Sequence, residues 1–230
     1  METLSPTIQT LLSKYPTTLH LVQSKAIEIL LGKIRDKATP MHLFRSYNSR
    51  LITILLEEAI ATTYTKQITK ESVCGKYEAL ERDTAEEDYI GVCILRSANA
   101  MLTEYMKLFP TSPIWNILIQ RVEESEDKHP LFIYEKHPVV IEGKKIILMD
   151  PMLASGGSCI KAIEILINNK IKEEDILFVN LISTPDGIEA VLNKFPKINI
   201  VTAKIDPVLL QNKYISPGLG DFGDRFYGTN

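Results

Sequence analysis

Asp150-Pro151-Met152-Leu153-Ala154-Ser155-Gly156-Gly157-Ser158 brings an acid, small residues and hydroxyls together in one run. It follows Lys145–Met149, an apolar run that reads as a buried strand, and precedes Cys159–Ile167, whose apolar spacing reads as a helix. An acid at a strand end, a Gly/Ser turn and a helix start suit one task. Backbone N–H groups and hydroxyls hold a phosphate at the helix N-terminus, while the acid reaches sugar hydroxyls. The run lacks the lysine of a Walker-type loop and the glycine spacing of a dinucleotide fingerprint. A second unusual stretch lies near the C-terminus. Tyr214–Thr229 sets Gly218, Gly220, Gly223 and Gly228 among aromatics and acids. That composition is poor for helix or strand, and its aromatics predict an ordered loop.

The elements that must position these residues follow from periodicity. His20 to about Thr62 reads as helical, with one apolar stripe at Ala26, Ile27, Leu30, Leu31 and Ile34 and a second from Leu51 to Ile60. Pro40 separates the two and opens the second helix. Residues 63–88 are polar, and their charges read as a solvated excursion. From Tyr89 the pattern alternates: a strand at Tyr89–Leu95, a helix at Ala98–Leu108, a strand at Trp115–Gln120, a charged turn at Arg121–Lys128, and a return strand at Leu131–Tyr134. Strand Lys145–Met149, the Asp150 loop, a helix to about Asn169, strand Ile176–Ile182, helix Asp186–Phe195 and strand Ile198–Ala203 complete the series. Strands separated by helices predict an α/β fold with a mainly parallel central sheet flanked by helices. An N-terminal helical extension, of which about 1–20 is an appendage, and a β-hairpin arm are added to it. Residues 1–230 are read as a single domain.

Composition sets limits. The 230 residues carry a net charge of -3, 45% hydrophobic and 24% charged residues, so neither nucleic acid nor an anionic membrane is expected as a partner. No apolar run reaches the ~18–20 residues of a membrane span, and the N-terminus has no secretory pattern. A cytoplasmic location follows as the expectation. Cys74, Cys93 and Cys159 read as reduced thiols. Their spacing fits no metal site, and His20, His42, His129 and His137 are scattered, so no protein-held metal is expected.

The two unusual stretches, taken together and in this order, resemble uracil phosphoribosyltransferases. The nonapeptide differs from that family's typical loop by Ser155 in place of Thr, and Tyr214–Thr229 resembles the uracil-recognition segment almost throughout. Ile34–Pro40, Ser49-Arg50-Leu51, Leu56–Ala59, Gly91–Arg96, Ile117–Arg121 with Glu123-Glu124, and Tyr134–Pro138 are also similar to family segments, so the resemblance runs from about residue 20 onward. It implies a type I phosphoribosyltransferase-like fold and the reaction of uracil with 5-phospho-α-D-ribose 1-diphosphate (PRPP), with Mg²⁺ carried by PRPP or pyrophosphate, giving UMP. It further implies PRPP binding by Arg96, Arg121, Asp150, Pro151, Met152, Leu153, Ala154, Ser155, Gly156, Gly157, Ser158 and Asp221. Ribose binding falls to Tyr214, and uracil binding to Ile215, Gly220, Asp221 and Phe222. Asp150 and Asp221 take the catalytic roles. Arg96 and Arg121 are planar forks suited to phosphate oxygens, and backbone groups around Ile215 and Gly220 would reject cytosine, whose amino donor replaces an acceptor. Asp224 and Arg225 read as a structural ion pair.

The chain departs from the family at Ser97-Ala98-Asn99, where Ala-Gly is usual after the arginine, and at Val122. These departures keep open an alternative: a catalytically weak paralogue that binds uracil or UMP as a regulatory or partner subunit. The resemblance also implies a homodimer or larger homo-oligomer. Some members take GTP as an effector near N-terminal basic residues, and Lys33, Arg35 and Arg45 stand in that region.

Overall fold

The computed structural model describes residues 4–121 and 130–229, Arg121 by its backbone. The expected charged turn beyond Arg121, with Val122 and Glu123-Glu124, and His129 lie outside the described residues.

Near the N-terminus, α1 (Pro6–Lys14) starts at Ser5, whose hydroxyl accepts from the Ile8 N–H. A strand, β1 (Leu19–Leu21), follows, then α2 (Lys25–Arg35) and α3 (Met41–Thr63). The helical reading from His20 is therefore corrected. Three residues are too few to display an alternating pattern, and β1 exists because the sheet edge at β10 (Asn199–Ile205) offers it a ladder, Leu19 to Ile200 and Leu21 to Thr202. Pro40 takes the cap position before α3. The polar stretch 63–88 is corrected as well. It holds a two-stranded hairpin, β2 (Thr65–Ser72) and β3 (Gly75–Arg82), paired from Thr65–Arg82 to Ser72–Gly75 and off the main sheet.

The α/β body alternates as expected: β4 (Tyr89–Leu95), α4 (Asn99–Leu108), β5 (Ile114–Arg121), β6 (Pro130–Lys136), β7 (Lys145–Met149), β8 (Met152–Leu153), α5 (Gly157–Asn168), β9 (Ile176–Ser183), α6 (Pro185–Lys194) and β10. Two short strands, β11 (Val208–Leu209) and β12 (Ile215–Ser216), pair antiparallel before α7 (Phe222–Tyr227). The tail expected as a loop thus contains a six-residue helix, capped by the Asp221 side chain.

The main sheet runs β1-β10-β9-β7-β4-β5-β6, with β8 beside β9. Every pairing is parallel except β5–β6, the expected hairpin arm. Period-two alternation sorts its side chains into two cores. Cys93, Ile147, Val179 and Val201 face α2, α3 and α4, whereas Val92, Leu148, Phe178 and Ile200 face α1, α5 and α6. From β4 the chain crosses to β5 on one side, and from β7 it crosses to β9 on the other. Such a reversal opens a crevice at the carboxyl ends of the two strands. Arg96 follows β4 and Asp150 follows β7, so the reversal point receives both.

Candidate active site

A cleft of about 330 Å³ occupies this crevice. Four groups of residues line it: Leu95, Arg96 and Ser97 at the end of β4, Ile119 and Gln120 near the end of β5, Asp150, Met152, Ala154 and Ser158 from the nonapeptide, and Tyr214, Ile215, Gly220, Asp221 and Phe222 from the tail. The two stretches that stood out in the sequence are thus brought to one cavity.

The nonapeptide loop is held from behind. The Pro151 carbonyl accepts from Leu181 N–H at 3.0 Å and Ile182 N–H at 3.2 Å, and the Leu153 carbonyl accepts from Thr184 N–H at 3.0 Å. The Thr184 hydroxyl donates to the Ala154 carbonyl at 2.6 Å and accepts from Gly187 N–H at 3.0 Å. Gly187 admits no side chain, because a Cβ there would run into the carbonyls of Ala154 and Leu153. Pro151 and Leu153 are buried away from the cleft, and Ser155, Gly156 and Gly157 form the turn that delivers the start of α5. The first helical N–H groups there, those of Gly157, Ser158 and Cys159, have no acceptor one turn back and carry the positive end of the α5 dipole. That is the geometry of an anion site, with the Ser158 side chain at the cleft wall.

The tail is built on the N-terminal helices. Arg225 donates to the carbonyls of Ile34 at 2.5 Å, Leu219 at 2.8 Å and Asp36 at 2.8 Å, and lies over the Phe44 ring with 4.4 Å to its centroid. Burial lowers the Arg225 pKa from its ordinary value. Arg45 donates to the Phe226 carbonyl at 2.7 Å. The expected Asp224–Arg225 pair is corrected: Asp224 Oδ1 accepts from Arg96 Nη2 at 3.1 Å, because Arg225 is taken up by carbonyls at the end of α2 and by that of Leu219. Arg96 also lies over Tyr227, 5.1 Å from its centroid, and its carbonyl accepts from the Tyr227 hydroxyl at 3.0 Å. The Leu95–Arg96 and Ser216–Pro217 peptides are cis. Asp221 Oδ1 accepts from Asp224 N–H at 2.9 Å, so this acid both faces the cleft and caps α7.

Two features escaped the sequence reading. Thr184 and Gly187 support the loop, and Asn212 and Lys213 line the cleft beside Tyr214. Asn212 Oδ1 accepts from Tyr214 N–H at 3.1 Å, while Lys213 takes φ 68° in a tight turn. The Asx-type turn was visible in Asn212-Lys213-Tyr214, but it carried no sign of facing a cavity. Arg35 and Arg45, set in an effector region by the resemblance, direct their guanidinium groups to the tail.

The family model for uracil phosphoribosyltransferase matches residues 21–229. The uracil phosphoribosyltransferase of Dictyostelium discoideum is 35% identical over 94% of this chain and 98% of its own length. Uracil phosphoribosyltransferase 1 of Schizosaccharomyces pombe is 40% identical over 90% and 93%. Among solved structures, a protein from Aquifex aeolicus superposes with a TM-score of 0.77 at 27% identity, covering 92% of this chain and 99% of that one. An adenine phosphoribosyltransferase from Leishmania donovani, at 9% identity and TM-score 0.51 over 82% and 83%, shares the fold alone.

Proposed function

The chain belongs to the uracil phosphoribosyltransferase family, and from that premise we infer the work of its cleft: transfer of the phosphoribosyl group from PRPP to uracil, giving UMP and pyrophosphate. It is a pentosyltransferase of pyrimidine salvage. The observation that carries the reading is the meeting of Asp150 and Ser158 with Ile215, Gly220 and Phe222 around one cavity. A phosphate cradle and a polar backbone edge would thereby face the same cavity.

The 5-phosphate would sit on the N–H groups at the start of α5, with Ser155 and Ser158 supplying hydroxyls. Asp150 would accept from the ribose hydroxyls and, as an anion near the anomeric carbon, favour the positive charge that grows there as the bond to pyrophosphate breaks. Arg96 and Arg121 would take pyrophosphate oxygens. Pairing with Asp224 already fixes the direction of the Arg96 fork. Backbone groups of Ile215, Gly220 and Phe222 would bind the pyrimidine edge, with Tyr214 at the ribose and Asp221 between base and donor. Holding both substrates in line converts a bimolecular encounter into an intramolecular step. Mg²⁺ would enter with the donor, carried by pyrophosphate oxygens and water. No set of three or more His, Cys, Asp or Glu side chains converges among the described residues, and Asp150 and Asp221, which line the cleft, would accept hydrogen bonds from water on such an ion.

No observation favours the weakly active binding partner. No helix among the described residues is long and apolar enough to cross a membrane, and Cys93 and Cys159 are buried free thiols, which fits a cytoplasmic enzyme. Leu131, Phe132, Ile133 and Tyr134 on β6 are 38–51% exposed on both faces of the arm, which supports the homo-oligomer. The test is UMP formation from uracil and PRPP with Mg²⁺, with cytosine and orotate as controls. Product from uracil alone is expected, and its absence at any enzyme concentration overturns the assignment.

A further inference from the structure

We propose that Arg35 and Asp206, neither of which lines the cleft, are positioning residues that set pyrimidine selectivity by clamping the Gly218 peptide. The inference rests on the reading of Tyr214–Phe222 as the base-binding segment.

Asp206 follows β10 and is 2% exposed. Its N–H donates to the Ser183 carbonyl at 2.8 Å, which roots it in the end of β9. Its Oδ2 accepts from Gly218 N–H at 2.8 Å and from Arg35 Nη1 at 2.8 Å, and its Oδ1 accepts from Arg35 Nη2 at 2.7 Å. Arg35 Nη1 donates in addition to the Gly218 carbonyl at 2.7 Å. Both polar groups of Gly218 are therefore held by one ion pair anchored in the sheet and in α2. At φ 53° Gly218 turns the chain so tightly that a Cβ would collide with the Ile215 carbonyl. It stands midway between Ile215 on one side and Gly220 to Phe222 on the other, the segments that reach the cleft. Fixing Gly218 fixes the separation of the two backbone edges between which the base would lie.

Selection of a pyrimidine by backbone donors and acceptors depends on that separation. A wrong base is rejected because it leaves polar groups unpaired, and a loop free to move can re-pair them. The fork of Arg35 spans two carboxylate oxygens and a carbonyl together. An ammonium on a flexible stem cannot reproduce that planar arrangement.

Arg35→Lys tests this. The Michaelis constant for uracil is expected to rise tenfold or more while that for PRPP stays within twofold, and the preference for UMP over CMP in calorimetric titration is expected to fall at least tenfold. Loosening a largely buried ion pair is a folding hazard. If Arg35→Lys does not fold, the same readings are taken on Arg35→Gln/Asp206→Asn, which leaves no lone charge. A folded variant with the wild-type uracil constant and nucleotide preference overturns the proposal, as does a uniform loss in which both Michaelis constants and kcat move together. Failure of the wild-type chain to make UMP would instead remove the proposed function, before any variant is compared.

Discussion

The hydroxyl of Thr184 donates to the main-chain carbonyl of Ala154 at 2.6 Å, so the junction between β9 and α6 carries the nonapeptide loop on its back. The same oxygen caps α6 by accepting from Gly187 N–H, and Thr184 is fully buried. Thr184→Val keeps the shape and deletes both bonds. Loss of a helix cap costs about 1 kcal/mol, and an unpaired buried carbonyl adds roughly 1–3 kcal/mol. Urea denaturation should therefore show a loss of roughly 2–4 kcal/mol, and the Michaelis constant for PRPP should rise more than that for uracil. Thr184→Ser, which keeps the oxygen, should lie within about 1 kcal/mol of wild type. Equal stability of the Val and Ser variants would show that the hydroxyl does not hold the loop.

Asp221 faces the cleft and caps α7, so its two duties can be separated by substitution. Asp221→Asn retains an oxygen for the Asp224 N–H and removes the charge. It should leave the melting temperature nearly unchanged while kcat/KM for UMP formation falls at least about tenfold, ~1.4 kcal/mol of transition-state stabilisation. Asp221→Ala should show the same loss of activity together with about 1 kcal/mol of lost stability. Asp150→Asn is expected to behave like Asp221→Asn. Normal turnover in both Asn variants would contradict the roles given to these acids.

Burial pushes the Cys93 thiol up to about 12. Burial foremost, with the charge of Asp150 second, raises the Cys159 thiol well above its ordinary value. The thiolate is the reactive form. At pH 8 the native chain should therefore be alkylated once, at the exposed Cys74, and three times after denaturation. The same shifts act on stability. Above the unfolded thiol pKa of about 8.5 the unfolded chain releases protons that the folded chain keeps. Stability is thus fully present below that pH and declines as pH rises toward the folded values. Rapid labelling of Cys159 in native protein would refute the burial described at the start of α5.

The parallel sheet and both halves of the cleft were legible because each left a local signature. Apolar runs marked β4, β7 and β9, and two compact stretches carried most of the cleft-lining residues. The missing parts lack such signatures for physical reasons. The β2–β3 hairpin is exposed on both faces, so no buried face imposes alternation on its sequence. Asp206, Thr184 and Arg225 act on main-chain groups of distant segments, and a main-chain N–H or carbonyl that meets such a side chain leaves no mark of it in its own residue type. A basic residue on a helix, such as Arg35 or Arg45, looks the same in sequence whether it meets solvent or a carbonyl.

The departure at Ser97-Ala98-Asn99 has a structural answer that Ala98→Gly can test. Where the family usually carries glycine, Ala98 adopts φ −65° and ψ −10°, a right-handed conformation open to any residue. Its carbonyl accepts from the N–H groups of Met101 and Leu102, both at 2.9 Å, at the start of α4. Its methyl is fully buried in the core that contains Met101 and Tyr105, and it does not appear among the cleft-lining residues, where Ser97 does. The extra methyl therefore packs in the core and takes no space from the cleft. Restoring glycine should gain nothing in catalysis, with kcat/KM for PRPP within about twofold of wild type, a change below ~0.5 kcal/mol. It should cost about 1 kcal/mol of stability through the lost methyl burial and the freer unfolded chain. A tenfold gain in kcat/KM would mean that this residue restricts the donor after all, and that the geometry at the end of β4 changes when pyrophosphate binds.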